Sequence, residues 1–259
     1  MKKLPRLHAD AKLPILVYYH GGGFCLGSAF NPTFHAYFNN FAALANMLVV
    51  SVEYRLAPEH PVPAAYADSW DALAWAVSHV AGAGDEPWLA DHADFSRLYL
   101  GGESAGANIA HHVAMRAGAE GLPHGAKIHG LVMIHPYFLG TNKVGSDDLD
   151  AAAQESLGSL WRVMCPATTG EDDPLINPFV DGAPVKKGGG QERAGPWDYI
   201  GRTDGRREAA QASPVQHHGA RGACTFAGTA EPRLGSRNHV DVGGVHSKHW
   251  GQVMRLDTS

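Results

Sequence analysis

Four short apolar runs punctuate the first two-thirds of the chain, and segments with helical spacing separate them. Residues 14–20 (PILVYYH) are continuously apolar and stop at glycines, which predicts a strand buried on both faces. Residues 47–54 (MLVVSVEY) predict a second strand, with a short helix over residues 39–46 between the two. Pro63 opens a segment with Tyr66, Trp70, Leu73 and Val77 at helical spacing, the proline standing near the first turn where no N–H is needed. Residues 97–101 (RLYLG) predict a third strand, residues 105–117 a helix with Ile109 and Val113 on one face, and residues 130–135 (GLVMIH) a fourth strand. Strands alternating with helices require crossover connections. The fold class is therefore α/β, a mostly parallel sheet with helices on both faces, and sites in such sheets form at the carboxyl ends of the strands.

The pattern stops near Pro184. Residues 1–184 carry 10 Lys or Arg against 19 Asp or Glu, whereas residues 185–259 carry 11 against 7. Those last 75 residues hold 13 of the 31 glycines and only 10 Leu, Ile, Val or Phe. So little branched apolar mass predicts an irregular, disordered tail rather than a second packed unit. The expected organisation is a core over residues 1–184 and a Gly-rich tail over residues 185–259. No internal repeat is present.

Composition narrows the classes of function. The 259 residues are 44% hydrophobic with a net charge of −5, enough apolar mass for a full core and no charge reason to expect nucleic acid or an anionic membrane as partner. No apolar run approaches the ~18 residues of a membrane span. Residues 1–12 are polar and basic without an apolar h-region, so no secretory signal is expected. Cys25, Cys165 and Cys224 are odd in number and far apart. They exclude a disulfide scaffold and fit a reducing compartment, so a cytoplasmic location is expected.

Candidate chemistry sits where two of the strands end. The third runs into Gly102-Glu103-Ser104-Ala105-Gly106, a G-x-S-x-G between a strand and a helix, which is the context of a nucleophile elbow. Such a turn is sharp enough to strain the serine backbone, and glycines two positions either side remove the collision. The first strand runs into His20-Gly21-Gly22-Gly23-Phe24, where glycines leave backbone N–H groups free to face a ligand. Acyl transfer needs such donors where a carbonyl oxygen becomes an oxyanion, and HGGG with the N–H after the nucleophile is one known solution. A flexible turn is the competing reading of the glycines alone.

Taken in order, HGGGF, SVEYRLAPEHPVPAAYADSWDAL, GGESAGANIAHH and DDPLINPF resemble the plant carboxylesterase branch of the hormone-sensitive-lipase-like α/β-hydrolases, over residues 13–184. The resemblance implies an α/β-hydrolase fold, present here in part. It implies Ser104 as nucleophile and the N–H groups of Gly22, Gly23 and Ala105 as the oxyanion hole, with His20 a structural member of the motif. It implies hydrolysis of small carboxylic esters. The branch also contains gibberellin receptors, which lack a working triad histidine, so a non-catalytic ligand-binding relative or pseudoenzyme is the alternative. Gly23 and Ser104 both favour the esterase: receptors typically carry serine at the first position and some dehydratases threonine at the second.

Two departures accompany this resemblance. Relatives begin well before HGGGF, so the chain is expected to be short at its N-terminus. Relatives also continue beyond DDPLINPF with strands that deliver a triad Asp and His, and neither loop is recognisable in residues 185–259. The abrupt compositional change predicts a tail unrelated to the family, as a shifted reading frame would produce. Reading the encoding nucleotides in the other two frames tests this, and hydrolase-like Asp and His loops are the expected result. Within the chain as it stands, the order Ser…Asp…His singles out Asp204 and His239. Asp198, Glu208, His217, His218, His246 and His249 are no better motivated, and all of them also read as solvent-exposed tail residues.

The remaining features add little chemistry. His111-His112, His217-His218 and His246-x-x-His249 lack the four converging ligands of a structural zinc site, so neither metal nor cofactor is expected. Gly188-Gly189-Gly190 is not followed by the Lys and Ser/Thr of a phosphate loop. The acidic clusters 147–150 and 171–173 read as solvated loop faces. Leu157, Leu160, Trp161 and Met164 lie at helical spacing, as either a cap over the acyl pocket or an ordinary core helix. The expected partner is a small-molecule ester; the sequence carries no signal for an oligomeric state.

Overall fold

The structure, a computed structural model, describes residues 12–81, 84–141 and 151–183 together with the backbone of residues 252–254. Four parallel strands form the centre: β1 (Leu13–Tyr19), β2 (Leu48–Val52), β3 (Ala93–Glu103) and β4 (Ile128–Ile134). A three-residue strand, β5 (Gln252–Met254), pairs antiparallel to β2, and the sheet order is β4-β3-β1-β2-β5. The tail therefore departs from the expected irregularity at these three residues. A strand that short lies below the length at which alternation becomes readable. The rest of residues 185–259 lies outside the described residues.

Successive side chains of β1 supply opposite faces. Ile15, Val17 and Tyr19 enter the larger core, shared with Leu98, Leu100, Leu73 and Ile109, while Leu16 and Tyr18 enter a smaller one with Phe38 and Ala42. Helices on both faces explain why β1 reads as a continuous apolar run rather than an alternating one. α2 (Ala64–Val77), α4 (Ala105–Glu120) and α5 (Ala151–Met164) serve the larger core, and α1 (Pro32–Ala45) closes the smaller.

Helix α1 begins seven residues before the sequence places it. Asn31 caps it by accepting from the Thr33 N–H at 2.9 Å, with Pro32 in the first turn, and Asn46 ends it in the left-handed region. The Asn-Pro start signal was present in the sequence, and Phe34, Phe38 and Phe41 mark the inward face. A further short helix, α3 (Pro87–His92), was not anticipated. The acidic cluster 171–173 is only in part a solvated face: Asp172 is exposed and Glu171 half-buried, but Asp173 is not. Asp173 is buried and accepts from the Thr168 hydroxyl at 2.6 Å and the Leu175 N–H at 2.9 Å, which makes it the organiser of the turn that follows.

Two buried histidines, His20 and His111, and the half-buried His112 are expected to make the fold acid-sensitive. Burial lowers the pKa of His20, His111 and His112, and brings His111 to about 3, with His112 beside it adding to the effect. Their folded values lie below the ordinary 6.5, so the unfolded chain binds protons more readily. The stability they contribute is complete above about pH 6.5 and is lost as pH falls toward 3, by at most ~1.4 kcal/mol per pH unit for each group. Urea unfolding at pH 7.5, 6, 5 and 4 should show a progressive fall in midpoint from pH 6 downward. A midpoint flat across that range would contradict these pKa values.

Candidate active site

Strands β1 and β3 are neighbours in parallel, with Tyr19 opposite Gly102, so both run out at the same edge of the sheet. The HGGG loop and Ser104 therefore emerge side by side. Ser104 lies between β3 and α4 at φ 52°, ψ −115°, a conformation costing ~1–3 kcal/mol that surrounding contacts must hold. They do so through its backbone. The Ser104 N–H donates to the Ile134 carbonyl at 2.8 Å, and its carbonyl accepts from the N–H groups of Ala107, Asn108 and Tyr137 at 3.1, 3.1 and 3.0 Å. Its side chain has no hydrogen-bond partner among the described residues.

The flanking glycines are required by space. A Cβ on Gly106 would overlap the Tyr19 carbonyl oxygen, and one on Gly102 would overlap the Gly106 carbonyl. The elbow is thus wedged against the end of β1 so closely that α4 can start only where no side chain intervenes. Gly21 in turn lies against Glu103, whose Cγ stands 3.2 Å from where a Cβ would be.

The glycine loop is stiff despite its composition. The Gly22 carbonyl accepts from the Cys25 and Leu26 N–H groups at 3.1 and 2.9 Å, and Gly22 sits at φ +119°, where a Cβ would overlap the Leu26 carbonyl. His20 fixes the loop from beneath. It is buried, its ring stacks on Tyr54 at 4.3 Å, Nδ1 donates to the Gly21 carbonyl at 2.8 Å, and the Tyr54 hydroxyl donates to the His20 carbonyl at 2.7 Å. Farther along, Glu53 accepts from the Ser28 hydroxyl at 3.0 Å and the Ala29 N–H at 2.5 Å. The N–H groups of Gly22, Gly23 and Ala105 have no acceptor among the described residues. Gly22 and Gly23 are half-buried, so a ligand oxygen can reach donors that the protein leaves unused.

Helix α5 fits the second of its two expected roles, a core helix, through Trp161 and Met164. Trp161 packs on Phe24 and Tyr137 with ring centroids 5.7 and 6.2 Å apart. One position away, Leu160 crosses the glycine loop, its Cδ2 3.0 Å from where a Cβ on Gly23 would stand. Two features were missed by the sequence reading: the Leu160 contact and the polar cluster around Asn108. An asparagine one turn after the serine, flanked by Ala107, Ile109 and Ala110 on a buried helix face, was the available signal. Asp204 and His239 lie outside the described residues, as do Asp198, Glu208, His217, His218, His246 and His249. No cluster of three potential metal ligands occurs among the described residues, and no described helix is long and apolar enough to cross a membrane.

A model of the alpha/beta hydrolase fold family matches residues 16–189. The chain belongs to the α/β-hydrolase fold family. Within it, this chain is similar to plant carboxylesterases of the hormone-sensitive-lipase-like group. It is 50% identical over 187 residues to a 2-hydroxyisoflavanone dehydratase from Glycyrrhiza echinata, which covers 70% of this chain and 57% of the relative. It is 47% identical over 182 residues to probable carboxylesterase 2 of Arabidopsis thaliana, covering 70% and 56%. Among solved structures, a hyperthermophilic esterase from the archaeon Pyrobaculum calidifontis matches with TM-score 0.52 and 30% identity, over 67% of this chain and 55% of that one. The α/β hydrolase described here spans about half the length of the curated relatives it matches.

Proposed function

We propose that the protein is a carboxylic ester hydrolase acting on small-molecule esters, with Ser104 as nucleophile and the N–H groups of Gly22, Gly23 and Ala105 as its oxyanion hole. The observation that carries this reading is the pairing of a strained, half-buried serine with three unused N–H donors at the ends of adjacent strands. In the acylation step the Ser104 Oγ attacks the ester carbonyl, the carbonyl oxygen becomes an oxyanion among the three donors, and the alcohol leaves with the proton released by Ser104. Water then cleaves the acyl-serine and regenerates the hydroxyl. The start of α4 adds favourable potential for the developing negative charge. A base must accept the serine proton. Asp204 and His239 are the pair whose order in the chain fits, by spacing alone.

Incubation with a fluorophosphonate probe, followed by peptide mass mapping, tests the reading. One adduct on the peptide containing Ser104 is expected, suppressed by excess short-chain aryl ester. An adduct elsewhere, or none on a sample shown to be folded, would overturn it. The competing reading is a ligand-binding relative without turnover. In that case the folded protein binds the ester but neither labels nor releases alcohol.

A further inference from the structure

Asn108 is fully buried at the second turn of α4, and its side-chain amide gathers three distant segments. Nδ2 donates to the Tyr137 carbonyl at 2.9 Å and the Leu175 carbonyl at 2.8 Å, and Oδ1 accepts from the Tyr66 hydroxyl at 2.7 Å. Both carbonyls can only accept, so the amide has one orientation that satisfies every group. Through it, α2, the turn after β4 and the turn organised by Asp173 meet beneath the elbow.

Two of these links lead to Ser104. The Asn108 N–H donates directly to the Ser104 carbonyl, and Tyr137, whose own carbonyl Asn108 holds, donates to the same oxygen. Resting on the esterase reading, we propose that Asn108 is a positioning residue for Ser104: its buried amide locks Tyr137 onto the serine carbonyl and keeps the strained elbow aimed at the glycine loop. A strained residue stays in place only where its neighbours over-determine it, and three donors on one carbonyl do so. The neighbouring His112 is the natural contrast. Its Nε2 also donates to the Leu175 carbonyl, at 2.8 Å, yet it makes no hydrogen bond to Tyr137.

The test compares the wild type with Asn108→Asp, Tyr66→Phe and His112→Ala, each at a temperature where circular dichroism shows it folded. Asn108→Asp sets a carboxylate oxygen against two carbonyls. Amide hydrogen exchange at Tyr137 and Ala107 is expected to quicken at least ~10-fold relative to β1, and fluorophosphonate labelling per folded molecule to slow by ~10–10²-fold, the scale of a small misplacement of a reacting group. Tyr66→Phe removes one hydroxyl only and should move both readouts in the same direction by less; it decides the matter if Asn108→Asp does not fold. His112→Ala should lower Tm while leaving exchange at Tyr137 and the labelling rate unchanged. Unchanged exchange at Tyr137 in the folded Asn108 and Tyr66 variants would overturn the proposal. Faster exchange with undiminished labelling would overturn it as well. A wild type that never labels removes the esterase reading instead, and the exchange comparison then decides alone whether Asn108 holds the elbow.

Discussion

Replacing Ser104 with alanine is expected to abolish the fluorophosphonate adduct and to reduce ester turnover by ~10³-fold or more, while leaving the fold intact. The chemistry is lost because the only atom removed is the one that attacks. The fold survives because that atom has no hydrogen-bond partner among the described residues: the elbow is held by the Ser104 N–H and carbonyl, which alanine retains. Ser104→Gly sharpens the comparison. At φ 52° glycine relieves strain that serine and alanine both bear, so this variant should be as inert as Ser104→Ala yet more stable than the wild type by up to ~1 kcal/mol. An inactive, more stable Ser104→Gly would mean that stability is given up at this position for the aim of one hydroxyl. Labelling of Ser104→Ala at the wild-type rate would eliminate Ser104 as nucleophile.

The second large effect falls on folding. Gly106→Ala is expected to cost at least ~3 kcal/mol and to leave little soluble protein, because the added methyl would overlap the Tyr19 carbonyl oxygen and crowd that of His20. Neither side can yield cheaply. The end of β1 is fixed between β2 and β3, and the start of α4 is fixed by the donors on the Ser104 carbonyl. Gly118→Ala on the same helix is the internal control. Its Cβ would meet nothing within 4 Å, and helix propensity alone predicts a gain of ~0.5–1 kcal/mol. Soluble yield and thermal unfolding of the pair separate a steric requirement from a general intolerance of change in α4. Similar Tm values for the two variants would contradict the packing described here.

β1 and β2 were legible in the sequence because both sheet faces are covered there, which turns each into a continuous apolar run; β3 and β4, which are less uniformly buried, were legible only from the short apolar stretches at their carboxyl halves. α2 was legible because it buries one stripe at helical spacing, whereas α4, buried all round over residues 105–111, was legible from the G-x-S-x-G turn that precedes it and from Ile109 and Val113. α1 was only partly so. Its aromatic residues face a small core of their own, and its start is declared by Asn31-Pro32 rather than by periodicity. Asp173 was misread because an acidic residue that caps a buried turn is identical in sequence to one that faces water; only its partners distinguish them.

By itself the sequence determined the class of fold and the two motifs that carry the candidate chemistry, because strand period, glycine placement and the G-x-S-x-G context are local properties. That the motifs share one site is a property of strand order: β1 and β3 are separated by some eighty residues of chain and become neighbours only in the sheet. The same holds for what supports the site. Asn108, Tyr66, Tyr137 and Leu175 come from four segments, and no spacing along the chain announces that their polar groups satisfy one another. Local backbone preference fixes where a turn can be strained, but only long-range hydrogen bonds in a water-excluded interior can keep it so.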